Sequence, residues 1–118
     1  MKVIQFVPTL DSGGEEQGVL EMSRALVENN HESHVVSAGG RLVDQLIQNG
    51  THHHKWDLHK KNIFTFKHVK PLRKWIMSIN PDIVHVRSRM PAWIVWQALK
   101  GIPLNIRPSL VSTIHGLY

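Results

Sequence analysis

The sequence predicts an α/β fold: a Rossmann-like, doubly wound parallel sheet of about five strands with helices on both faces, in three layers α/β/α. Three observations lead there. Short apolar runs alternate with segments of helical periodicity along the whole chain. A glycine pair, Gly13 and Gly14, stands between the first apolar run and the first helical segment. No repeat, low-complexity tract or linker interrupts the order, so residues 1–118 are expected to form a single domain.

Taken in order, the first strand is expected at residues 2–7, an apolar run closed by Pro8. Residues 18–28 place Val19, Leu20, Met22, Leu26 and Val27 at helical spacing and stop at Asn29-Asn30. A second strand fits residues 33–37. A second helix fits 41–48, with Gly50 where a left-handed C-cap is wanted. A weaker apolar run at 53–58 reads as the third strand. Val69, Leu72, Ile76 and Ile79 then recur by three, four and three within a helix at 65–78, whose end Asn80-Pro81 marks. Residues 82–87 make the fourth strand. Pro91 suits the first turn of a helix reaching Leu99, since its missing N–H has no partner to lose there. Pro103 and Pro108 keep the next segment extended ahead of a fifth strand at 110–115.

Fourteen Lys and Arg against nine Asp and Glu give a net charge of +5, so the surface should attract anions. The absence of cysteine excludes disulfides and thiolate chemistry. No segment approaches the ~20 apolar residues of a membrane span, and the run before Pro8 is too short for a signal-peptide core. The chain reads as cytoplasmic, peripheral to the inner face of the cytoplasmic membrane.

In an open α/β sheet, ligands bind beyond the carboxyl ends of the strands, near the point where strand order reverses. Those ends carry Gly13 and Gly14 after the first strand, Gly39 and Gly40 after the second, Ser88 and Arg89 after the fourth, and His115-Gly116 after the fifth. A glycine turn opening a helix offers backbone N–H groups to a phosphate. The spacing Gly-Gly-x-x-x-Gly through Gly18 is not the dinucleotide fingerprint, and no Lys-Ser or Lys-Thr follows as in a Walker loop. The second strand ends in Ser37-Ala38-Gly39, with no acid to hold a ribose hydroxyl. A dehydrogenase and a P-loop ATPase are therefore demoted. His115 suits hydrogen bonding to a substrate hydroxyl or stabilisation of charge. Arg87 and Arg89 present planar forks suited to phosphate or carboxylate.

Two further patterns have plainer readings. Adjacent residues on a strand point to opposite faces, so only two of His52, His53 and His54 can share a side. They read as a polar edge strand, and no metal site is assigned. Lys60, Lys67, Lys70 and Lys74 form a basic ridge beside the stripe of Val69, Leu72 and Ile76, flanked by Arg73, Phe64, Phe66 and Trp75. This is a solvated helix face or, in the sharper reading, an interfacial helix on anionic lipid.

Four pieces, in their order and spacing, give the chain a resemblance to the N-terminal lobe of family 4 glycosyltransferases of GT-B fold. They are Ser12-Gly13-Gly14-Glu15-Glu16; Ala25-Leu26-Val27 with His31-Glu32-Ser33-His34-Val35-Val36; Pro81-Asp82-Ile83-Val84-His85 with Ser88-Arg89; and Thr113-Ile114-His115-Gly116. The resemblance implies retaining transfer of a sugar from a nucleotide-diphosphate donor, without metal or other cofactor, to a saccharide or lipid-linked acceptor, as in cell-envelope polysaccharide or lipopolysaccharide synthesis. It implies that Gly13 and Gly14 meet the donor diphosphate, that His115 reaches the transferred sugar as the catalytic histidine, and that Ser88 and Arg89, with Arg87, line the acceptor cleft. Gln17 departs from the pattern, standing where many relatives place a basic residue.

The resemblance also implies a C-terminal lobe, carrying most nucleotide contacts, that these residues do not include. The chain is therefore expected to be a partial GT-B lobe, inactive alone and prone to self-association through a truncated face. The alternatives are a non-catalytic Rossmann-like binding module and a basic nucleic-acid-binding domain. The latter lacks a recognition motif or stacking platform, so no nucleic-acid partner is expected.

Overall fold

The computed structural model describes residues 1–10, 14–58, 67–87 and 89–112. Strands and helices alternate as β1 (Lys2–Phe6), α1 (Gly14–Glu28), β2 (Glu32–Ser37), α2 (Val43–Gln48), β3 (His52–Lys55), α3 (Val69–Ile79), β4 (Ile83–Val86), α4 (Arg89–Lys100) and β5 (Ser109–Ser112). The strands form one sheet in the order β3-β2-β1-β4-β5, and every neighbouring pair is parallel. In the register Ile4 lies beside His34 and Val84, and Gln5 beside Val35 and His85.

Each face of the sheet has its own core. Val19 and Leu20 of α1 and Leu46 of α2 pack on Val7 and Val35. On the opposite face, Leu72 and Ile76 of α3 and Ile94, Val95, Ala98 and Leu99 of α4 pack on Ile4, Phe6, Val36, Val84 and Val86. This division follows from right-handed crossovers. The chain winds from β1 out to β3 with its helices on one face, then returns to β4 and β5 with its helices on the other. Full burial of a side chain such as Leu72 or Ile76 contributes about 1.5–3 kcal/mol.

The punctuation predicted from sequence has visible geometry. Asn30 and Asn80 take left-handed φ of 64° and 55°, and Gly50 takes 98°, so each helix on the inner crossovers ends where its αL residue stands. Element ends differ by a few residues from expectation. Helix α1 begins at Gly14, at the glycine pair, one turn ahead of the apolar periodicity that starts at residue 18. Strand β3 spans His52–Lys55 rather than 53–58. The Trp56 N–H still donates to Ser37 O, after which the chain leaves the sheet and Leu58 turns into the α3/α4 core. The third helix starts at Val69, and residues 59–66 lie outside the described part. Helix α4 starts at Arg89, two residues ahead of Pro91. Strand β5 covers Ser109–Ser112.

Candidate functional site

The order of strands reverses between β1 and β4: the chain leaves β1 towards β2 and leaves β4 towards β5. Crossover helices diverge there to opposite faces, so a crevice opens beyond the carboxyl ends of these two strands. Helix α1 begins at one side of it, at Gly14, and helix α4 at the other, at Arg89. Two helices therefore direct their first-turn N–H groups to one end of the sheet.

The wall next to β2 is held by backbone hydrogen bonds. Ala38 N donates to Pro8 O, Leu10 N to Gly39 O and Leu42 N to Leu10 O, at 2.9, 2.9 and 2.8 Å. Gly39 and Gly40 have φ of 110° and 149°, a conformation that L side chains rarely adopt, which is why a glycine pair stands there. Gly39 N also donates to Ser37 Oγ, itself 2.6 Å from His53 Nε2. The loop after β1 is thus zipped to the turn after β2.

At the floor, Arg87 N donates to Phe6 O and prolongs the β1–β4 ladder by one residue. Its side chain turns onto the α1 face and is buried, with Nε donating to Gln5 Oε1 at 3.2 Å. Gln5 Nε2 donates in turn to Ser23 Oγ of α1 at 3.1 Å. A Cβ at Gly18 would stand 3.1 Å from Arg87 Nη1, so the third glycine of Gly-Gly-x-x-x-Gly makes room for the guanidinium. On the same face of β4, His85 is half-buried. Burial, and then the Arg87 charge, hold its pKa below the ordinary histidine range, so it is neutral near pH 7.

Of the site residues read from sequence, Gly14 opens α1, Arg89 opens α4, and Arg87 lies between them at the end of β4. Gly13, Ser88, His115 and Lys60 lie outside the described residues. Lys67, Lys70 and Lys74 are exposed on α3 and its leading turn, away from the crevice. Sequence reasoning passed over Gln5, Ser23 and Gly18 as a polar unit. The available signal was Gln5 itself, a primary amide inside an otherwise apolar strand.

Phosphate-handling α/β proteins are built around such a crevice, with helix N-termini facing it. Residues 12–118 match the model of the family described as Glycosyltransferase Family 4, and the chain belongs to that family. It is similar to the crystal structure of a glycosyltransferase from Rickettsia africae ESF-5, with a TM-score of 0.84 and 35% sequence identity. The similarity covers 99% of this chain and 30% of that one, so the chain spans less than a third of the solved protein. No curated protein matches it.

Proposed function

We propose that this domain forms one wall of a retaining sugar-transfer site. In this reading the sugar moves from a nucleotide-diphosphate donor to a saccharide or lipid-linked acceptor of the cell envelope, at the cytoplasmic face of the membrane and without a metal. Membership of Glycosyltransferase Family 4 supports the transferase class. The convergence of α1 and α4 on the β1/β4 crevice supports binding at that end of the sheet, and it is the observation that carries the reading. Gly13 and Gly14 would receive the diphosphate through backbone N–H groups, Ser88 and Arg89 would line the acceptor side, and His115 would contact the transferred sugar. Neutralisation of the diphosphate as the leaving group departs would come from fixed dipoles and side-chain cations.

Transfer also requires a second wall that closes over the donor, excludes water and aligns the reacting atoms. The 118-residue chain alone is therefore expected to turn over no sugar. The test supplies the full protein, with membranes as acceptor source, with radiolabelled UDP- and GDP-sugars. Incorporation into lipid or polysaccharide that falls at least about a hundredfold in His115→Ala supports the reading. Full incorporation by that variant, or robust transfer by the isolated 118-residue chain, refutes it.

A further inference from the structure

Gln5 has no solvent exposure although it stands in the middle of the central strand. A buried amide is tolerated only where it is hydrogen-bonded. Its two ends reach different elements: Ser23 of α1 at 3.1 Å through Nε2, and Arg87 beyond β4 at 3.2 Å through Oε1. Arg87 is only 8% exposed, and its Nη1 lies 3.1 Å from where a Cβ at Gly18 would stand, a tight contact. A polar unit therefore crosses the switch point, from α1 through β1 to the end of β4 and back to α1.

Simple packing does not account for this unit. An apolar residue at position 5 would continue the layer formed by Val3 and Val7 without burying any polar group. A cation beside the first two turns of a helix is opposed by the helix dipole, and burial adds a desolvation penalty. Three positions on two elements, Gln5 of β1 and Gly18 and Ser23 of α1, are nonetheless specialised to hold it.

Resting on the donor-side reading of the α1 N-terminus given above, we propose that Gln5 and Gly18 are positioning residues for nucleotide-sugar binding. Gln5 fixes the Arg87 guanidinium in one orientation, and Gly18 provides the gap it occupies. Together they hold the guanidinium against the second turn of α1, on the same side of the crevice as the helix start that would receive a nucleoside diphosphate. None of the three is assigned a bond-making role.

Calorimetric binding of UDP and GDP to the full protein, with a melting temperature for each variant, tests the proposal. Gly18→Ala puts a methyl group against Arg87 Nη1 while replacing a helical glycine with a better helix former. Its melting temperature should match or exceed that of the wild type, whereas nucleotide affinity should fall about tenfold through misplacement of the guanidinium. Gln5→Leu removes both hydrogen bonds at similar volume and should weaken binding to the same extent. Gln5→Glu, which keeps an acceptor facing Arg87, should restore affinity to within about twofold of the wild type. Wild-type affinity in both Gly18→Ala and Gln5→Leu would overturn the positioning role while leaving the donor reading intact. A wild-type protein that binds neither UDP nor GDP would overturn the donor reading and this proposal with it.

Discussion

His34 Nδ1 lies 3.1 Å from His54 Nε2, joining two imidazoles across neighbouring parallel strands. The other nitrogen of His34 is 2.6 Å from Glu32 Oε2, and His34 also stacks on His52 with ring centroids 4.9 Å apart. His54 meets the edge of Trp75 from α3 at 4.7 Å. The polar edge strand expected from His52-His53-His54 is thus one side of a ring stack roofed by a helix. His53, on the opposite face, bonds Ser37.

This arrangement sets the acid limb of stability. Burial, first, and the neighbouring His34, His52 and His53 charges hold the His54 pKa below the ordinary value of 6.5. Burial and Lys55 do the same to His53, and burial and Arg87 to His85. Each group binds its proton more weakly in the folded chain than in the unfolded one. Their contribution is therefore intact above the ordinary value and is lost as pH falls through it towards the depressed folded values. Glu32 follows in a lower window. The hydrogen bond from His34 holds its carboxyl below the ordinary 4.5, so its contribution persists until pH falls beneath that value. Because all three histidines are partly exposed, screening limits the loss between pH 7.5 and 5.5 to the order of 1 kcal/mol. Urea unfolding at the two pH values should show that fall, reduced in His54→Gln. A pH-independent midpoint would contradict the assignment.

Arginine at position 73 and glycine at position 101 form a second coupled pair. From α3, Arg73 donates through Nε to Ala98 O at 2.8 Å and through Nη2 to Gln97 O at 3.1 Å, satisfying carbonyls in the last turn of α4. Gly101 lies against the same guanidinium, with no room for a methyl group between them. Gly101→Ala must therefore displace Arg73 and forfeit its hydrogen bonds, and Arg73→Ala forfeits them directly. Each substitution should cost about 1–2 kcal/mol, since hydrogen bonds to a charged donor are at stake and the group is half-buried. The double variant should be much less destabilised than the sum of the two, because the clash disappears with the arginine. Urea denaturation of the four proteins measures this directly, and simple additivity would refute the coupling.

The order of elements was legible because turn residues fall between the periodic segments: Asn30, Gly50 and Asn80 mark ends that the backbone realises with positive φ. Strand neighbours were not legible, since period-two and period-3.6 patterns describe which face is buried but not which strand lies alongside. The start of α1 was legible from the glycine pair, which stands where the helix opens, rather than from apolar spacing, which begins only at residue 18. Arg87 was read, with Arg89, as a fork for an anion or acceptor, whereas its guanidinium is buried against Gln5, 82 positions away, and beside Gly18. Helix α4 shows the reverse failure. Its apolar residues divide between the core, with Ile94, Val95, Ala98 and Leu99, and the surface, with Trp93 and Trp96, 38% and 47% exposed.

Those tryptophans sharpen the expectation for the basic ridge. Helices α3 and α4 pack side by side, and the groove between them is lined by Lys67, Val69, Lys70, Arg73 and Gln97. On the α4 side, Lys100 Nζ stands 4.4 Å from the centroid of Trp96. Exposed Lys67, Lys70 and Lys74 on one side and exposed Trp93 and Trp96 on the other make a surface that combines positive charge with amphipathic rings, the combination that favours an anionic lipid interface. No helix among the described residues is long and apolar enough to cross a membrane. Each lysine near an anionic surface is worth about 1 kcal/mol. The protein should therefore cosediment with phosphatidylglycerol vesicles at low salt, and much less with phosphatidylcholine vesicles. Reversing all three lysines to glutamate should weaken binding at least about tenfold, and Trp93→Ala with Trp96→Ala should weaken the part that survives high salt. Equal binding to neutral vesicles, or undiminished binding by the lysine reversals, would show that this face does not meet lipid.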